Sequence, residues 1–199
     1  SDFESVLEKN IGSDTSSGRI GGKGAGLFIA KQILRHASVE DPLRCDIKTP
    51  RTWYLAADQI IDFLHYNNLE ELNPYKYNSL FHLRITYDNV VSKIKSAKLP
   101  PQTVQMLHVV LDELGDVPLI VRSSSLLEDS PERAFSGKYK SLFLPNQGSR
   151  AKRLEALIDA ILEVYSSMYN PDAIQYRREK GLINFTEQMG ILIQEVVGR

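Results

Sequence analysis

The sequence predicts an α/β (α+β) chain, and three stretches carry that expectation. Residues 119–121 form a short apolar run that ends on Arg122 and three serines, the length and setting of a buried strand. Residues 189–197 form a near-continuous apolar run, interrupted by Gln194 and Glu195, and read as a second buried strand. Between them Leu154, Leu157, Ile158, Ile161, Tyr165 and Met168 repeat at helical spacing, which marks residues 149–168 as the clearest helix. Such a stripe is core rather than a cofactor box.

Composition bounds the function classes. The 199 residues are 42% hydrophobic and 25% charged, as in globular domains. A net charge of -1 argues against a broad nucleic-acid footprint. The single cysteine, Cys45, rules out an internal disulfide framework and suits a reducing, cytoplasmic setting. No apolar run approaches the roughly 18 residues of a membrane span. Residues 1–10 lack the apolar core of a signal peptide. The chain opens on Ser1 and ends at Arg199 inside a predicted strand, so a piece of a longer polypeptide is expected.

In chain order, residues 2–8 suit a short helix and residues 11–20 a Gly/Ser-rich loop. Gly21-Gly22-Lys23-Gly24-Ala25-Gly26 follows and opens a helical pattern that runs to about His36. A Gly-rich loop at a helix start leaves backbone N–H groups free at the positive end of the helix, and Lys23 adds charge. In outline this binds phosphate; the alternative is a flexible loop with a solvated lysine. It is not a Walker A loop, because Ser17 stands where that pattern has Gly and Gly24 where it has Ser or Thr. Nor is it the dinucleotide fingerprint, since Leu27 occupies the place of the third Gly.

Residues 52–55 are aromatic and β-prone, hence a strand. Residues 58–66 read as a helix burying Ile60, Ile61 and Leu64, and residues 67–79 as an irregular stretch broken at Pro74. Residues 80–98 read as a helix, and Pro100-Pro101 begins another that carries Val104, Leu107, Leu111 and Leu114 and closes at Gly115. After the strand at 119–121 comes the acidic pair Glu128 and Asp129, then Phe135-Ser136-Gly137-Lys138, then a strand over 138–144. Asn170-Pro171 starts a last helix that Gly181 ends. Its final turn holds Arg177, Arg178 and Lys180, which either complement the helix dipole or touch a ligand.

Most catalytic chemistry finds no support. The four histidines lack a second His or Cys at metal-ligand spacing, and His108 reads as a structural histidine within a helix. Cys45 has no histidine partner in view, and Ser123 to Ser125 have no candidate base. What survives is Lys23 in a Gly loop, Arg122 at a strand, and a Gly137-Lys138 loop. Phosphoryl transfer uses such a kit, because its catalysis is mostly positioning and charge neutralisation.

These motifs, in this order, resemble the N-terminal nucleotide-binding region of the pyruvate phosphate dikinase and phosphoenolpyruvate synthase family. Gly21-Gly22-Lys23-Gly24-Ala25, Val121-Arg122-Ser123-Ser124 with Glu128-Asp129, and Phe135-Ser136-Gly137 carry the resemblance. Tyr176 to Gly181 and Ile193-Gln194-Glu195-Val196-Val197 extend it, while residues 38–100 add little. The resemblance implies the first part of an ATP-grasp module, a mixed sheet flanked by helices, with a helical insert at about 56–115. It implies that Lys23 and Arg122 act on ATP phosphates and are the catalytic pair, with Gly22, Gly24 and Ser123 beside them. It places Ser136, Gly137 and Lys138 in a loop over the phosphates, Ser136 standing for the family's usual Ala. It assigns adenine to a hinge at Gln194, Glu195 and Val197.

The resemblance further implies ATP and Mg²⁺ as cofactors, with the metal's ligands outside this chain. The second ATP-grasp half, the phosphohistidine domain and the pyruvate-binding barrel are expected elsewhere in the polypeptide. The leading expectation is the ATP-binding part of a phosphotransferase in which ATP phosphorylates a histidine, for transfer to pyruvate or a similar acceptor, with the fragment alone inactive. The alternative is a regulatory or degenerate nucleotide-binding module; a ligand-free interaction domain would leave the Gly-Lys-Gly loop and the Arg-Ser-Ser strand unexplained.

Overall fold

The computed structural model describes residues 10–11, 50–56, 59–124, 140–179, 181 and 190–197. Five strands form one mixed sheet: β1 (Asn10–Ile11), β2 (Thr52–Leu55), β3 (Leu119–Ser124), β4 (Ser141–Leu144) and β5 (Gly190–Glu195), in the order β1-β2-β5-β3-β4. β1 runs parallel to β2, and the other neighbours are antiparallel. The described helices are α1 (Gln59–Tyr66), α2 (Leu80–Ser96), α3 (Pro101–Leu114), α4 (Arg150–Ser167) and α5 (Pro171–Glu179), with a 3-10 helix over Glu70–Tyr77. The expected α/β (α+β) class, a mixed sheet with helices against it, is what the chain adopts.

β5 lies between β2 and β3, which explains its near-continuous apolar sequence: a strand with neighbours on both sides has little contact with water. Alternation divides the sheet into two faces. Trp53, Leu55, Leu119, Val121, Ile191 and Ile193 all stand on one face and are buried in the core. Against that core lie Leu107, Leu111 and Leu114 of α3, Phe63 of α1, and Leu157, Ile161 and Tyr165 of α4. The Phe63 and Tyr165 rings sit 5.4 Å apart. α4 forms where the apolar stripe predicts, and the Ser149 hydroxyl caps it by accepting from the Lys152 N–H at 3.3 Å.

The junction from α3 into β3 is tightly fixed. Gly115 has φ +71°, a conformation that side chains with a Cβ rarely adopt. The buried Asn146 donates from Nδ2 to the carbonyls of Gly115 and Val117, each at 2.8 Å, and Arg153 Nη1 donates to Gly115 O at 2.9 Å. The loop before α4 thus staples the start of β3 in place.

Four local expectations change. Residues 67–79 are not irregular: Leu72 and Tyr75 are both buried, and a repeat of three residues per turn brings them to one side despite Pro74. In α1 Phe63 is buried and Ile61 is 51% exposed, because Ile60, Phe63 and Leu64 already fill the face at i, i+3, i+4. His108 lies on the exposed side of α3, where its carbonyl accepts from Arg150 Nη2 at 2.6 Å. β3 runs on to Ser124, so Arg122 and Ser123 lie inside a strand rather than beyond its end. They do so because β5 pairs with it as far as Ser124↔Gly190.

Candidate functional site

The second face of the sheet carries the candidate site. Directly opposed residues in antiparallel strands share a face. One row across the sheet is therefore Ser141, Arg122, Leu192 and Tyr54; the next is Phe143, Ile120, Gln194 and Thr52. Leu192 is fully buried yet stands apart from the core cluster on the other face. Burial also raises the Tyr54 phenol above its ordinary pKa. The face therefore offers an apolar floor, Ile120, Leu192 and Tyr54, with a cation at its side.

That cation is Arg122. Its Nη2 donates to Gln194 Oε1 at 3.2 Å, and its Nε is buried with no partner. A guanidinium has five N–H donors in a planar fork that suits carboxylate or phosphate oxygens. Among the described residues Arg122 has a neutral amide for a partner and no carboxylate. The contrast with other arginines lies in the charged partner, since Arg150 and Arg153 also have a buried Nε without a hydrogen bond. Arg51 pairs with Glu195 at 2.8 Å, and Arg150 with Asp112 at 2.6 Å. Arg178 donates to the carbonyls of Lys76 and Asn78, and the buried Arg177 donates to Met168 O at 3.4 Å. The two arginines of the α5 terminus hence serve the fold by tying helices to neighbouring carbonyls.

Gln194 is itself held. Its Nε2 donates to Thr52 Oγ1 at 2.9 Å, and the Thr52 hydroxyl donates to Pro50 O at 3.1 Å. Thr52 was not among the sequence-predicted site residues, and its sequence setting shows only β-propensity.

The other expected site residues fall in different places. The Ser123 side chain stands on the core face, fully buried, and does not share a face with Arg122. Glu195 also projects to the core side, where Arg51 binds it from both its backbone N–H, at 2.9 Å, and its Nε. Burial works to raise the Glu195 pKa, but these hydrogen bonds and the Arg51 charge overcome it and hold the carboxyl below its usual range. The backbone N–H groups of Glu195 and Val196 are engaged by Arg51 O and Pro118 O. Val197 is exposed. Of the hinge expected over 194–197, the side-chain amide of Gln194 lies on the Arg122 face. Gly22, Lys23, Gly24, Ser136, Gly137 and Lys138 lie outside the described residues, as does the predicted helix after the Gly-rich loop.

Among the described residues no cluster of three His, Cys, Asp or Glu side chains could hold a metal. No described helix is long and apolar enough to cross a membrane. A cleft of about 440 Å³ opens between α1 and α3, lined by Asp62, His65, Tyr66, Thr103 and Met106 among others, and none of the described site residues lines it.

Residues 17–199 match the family described as "Pyruvate phosphate dikinase, AMP/ATP-binding domain". A phosphoenolpyruvate synthase of Deinococcus radiodurans is 29% identical over 164 residues, covering 79% of this chain and 19% of that protein. One of Aquifex aeolicus is 27% identical over 188 residues, covering 89% of this chain and 20% of that protein. A probable phosphoenolpyruvate synthase of Methanocaldococcus jannaschii is 23% identical over 172 residues, 81% of this chain and 14% of that protein. The chain thus spans about a fifth of the length of the first two relatives.

Proposed function

Because the chain belongs to the pyruvate phosphate dikinase AMP/ATP-binding domain family, we propose that it is the ATP-binding part of a phosphotransferase of the phosphoenolpyruvate synthase or pyruvate phosphate dikinase type. ATP would phosphorylate a histidine elsewhere in the full-length protein, for transfer to pyruvate or a similar acceptor. The whole protein would work in the cytoplasm.

The observation that carries the reading is Arg122. It stands on the non-core face of the sheet, beside an apolar floor, and among the described residues its partner is a neutral amide while its buried Nε has none. Burying a charged donor without a partner is costly, so the arrangement favours an incoming anion. A nucleotide supplies both halves of the match: an apolar base for Ile120, Leu192 and Tyr54, and phosphate oxygens for the guanidinium. Lys23, with the backbone of Gly22 and Gly24, would meet the phosphates from a second side. Ser136, Gly137 and Lys138 would close over them. Adenine would take backbone groups near Gln194 and Val197.

A bound Mg²⁺ would supply neutralisation of phosphate charge. Its ligands would come from outside this chain. The residues of this chain bind, orient and neutralise the triphosphate.

Calorimetric titration of the full-length protein with ATP and Mg²⁺ tests the proposal. Saturable binding is expected, weakened about tenfold or more by Arg122→Ala and by Lys23→Ala, since each removes a charged hydrogen bond to phosphate. Binding that neither substitution weakens would refute it.

A further inference from the structure

Thr52 lies two strands from Arg122, and the hydrogen bonds between them have only one consistent direction. Pro50 O can only accept, so the Thr52 hydroxyl gives its proton there, at 3.1 Å. Thr52 Oγ1 is then left as an acceptor, and the Gln194 group facing it at 2.9 Å must be the NH₂. The Gln194 carbonyl is thereby turned to the other side, where it meets Arg122 Nη2 at 3.2 Å. Gln194 is 7% exposed, so water has little access to substitute for either bond. The register sets Thr52 directly opposite Gln194 and Leu192 directly opposite Arg122, which lets the chain cross from β2 through β5 to β3.

We propose that Thr52 is a positioning residue for the phosphate-binding arginine. It fixes the amide orientation of Gln194, and Gln194 fixes the guanidinium of Arg122. The inference rests on the reading of Arg122 as a ligand of the ATP phosphates and goes beyond it by naming a residue that touches no nucleotide. Without the Thr52 hydroxyl, the Gln194 amide loses the acceptor that sets its direction. It can then turn its NH₂ towards Arg122, placing donor against donor. The arginine leaves its place, and the phosphates lose an aligned partner.

The test is ATP titration of the full-length protein carrying Thr52→Val, Thr52→Ser, Arg122→Ala and the Thr52→Val/Arg122→Ala pair. Valine keeps the shape and β-propensity of threonine and removes the hydroxyl; serine keeps the hydroxyl. The expected result is a dissociation constant for ATP raised about fivefold or more by Thr52→Val and restored to within about twofold by Thr52→Ser. In the Arg122→Ala background Thr52→Val should have no further effect, because the two act through one bond chain. A merely structural threonine would weaken binding equally in both backgrounds, and that additivity would overturn the proposal. So would unchanged affinity in Thr52→Val while Arg122→Ala is impaired; that outcome leaves the ATP-site reading intact. If Arg122→Ala itself binds ATP normally, the reading of the site fails, and the positioning role fails with it.

Discussion

Arg51 gives its Nε and backbone N–H to Glu195 and its remaining nitrogens to Glu113 O, at 2.7 Å, and Leu114 O, at 3.1 Å. Such an arginine is a fastening: its charge is neutralised and its donors are satisfied within the fold. Arg122 differs at the level of single atoms, with an amide in place of a carboxylate and an Nε left open. The difference predicts the effect of one oxygen-for-nitrogen exchange. Gln194→Glu would set a carboxylate against the guanidinium and convert Arg122 into another fastening. ATP affinity should then fall about tenfold or more, while the thermal midpoint holds or rises slightly, because a paired charge replaces an open one. Calorimetric titration alongside thermal unfolding checks both halves. Unchanged affinity would mean that the charge of Arg122 is not what the nucleotide meets. Arg122 itself was legible in the sequence as a cation after an apolar run. The pairing was not, since Gln194 is 72 residues after Arg122 and its own partner Thr52 is 142 residues before Gln194. Pairing of that range is decided by strand order and register, which a local pattern does not encode.

At the scale of elements, signals local to each segment were readable. Pro101 in a first turn and Gly115 after a last one each satisfy a backbone requirement within a few residues. The strands of the sheet centre were readable as apolar runs because burial on both sides leaves no polar alternation. The 3-10 helix over Glu70–Tyr77 was hidden by Pro74, a residue that usually signals a break. Hidden too was Asn146, whose sequence context of Pro145, Gln147 and Gly148 suggests a turn and nothing more. Yet Asn146 fixes where β3 begins, and so where Arg122 stands. It holds a positive φ of 55° and bonds two carbonyls across 31 and 29 residues. Asn146→Ala should lower stability by about 1–2 kcal/mol, because Gly115 O keeps Arg153 while Val117 O loses its partner in a partly buried place. In a chain of this size that is a fall of up to about 8 °C in Tm. Asn146→Gly tolerates the positive φ but lacks the amide. It should therefore recover little, and differential scanning fluorimetry of both variants separates the hydrogen bonds from the backbone conformation.

On the scale of the whole molecule, the core contacts gather on one sheet face and Arg122 stands on the other. The core face carries the apolar contacts with α1, α3 and α4. Glu163 of α4 receives Lys95 of α2 at 2.6 Å and also Lys140, the residue just before β4, so a single carboxylate ties three parts of the chain. The hydrogen bond from Lys140 and then that from Lys95 hold its pKa below the usual carboxylate value, against the opposing pull of burial. Glu195 is held low in the same sense by Arg51. A carboxyl whose folded pKa is depressed binds its proton more readily when unfolded. Its stabilisation is present above the unfolded value of about 4.3 and is lost as pH falls through the folded one. Stability should therefore be flat in this respect at neutral pH and decline below about pH 4.5. Glu163→Gln should lower stability by about 1 kcal/mol at pH 7, and the deficit should shrink as the pH falls from the unfolded carboxyl value towards the depressed folded one, because the unfolded chain takes up the proton first. Urea unfolding of both proteins at pH 7, 5 and 3.5 reads this directly. A deficit that stays constant across the series would show that Glu163 acts by packing and hydrogen bonding in either protonation state. A deficit that closes would place its contribution in the charge that joins α2, α4 and β4.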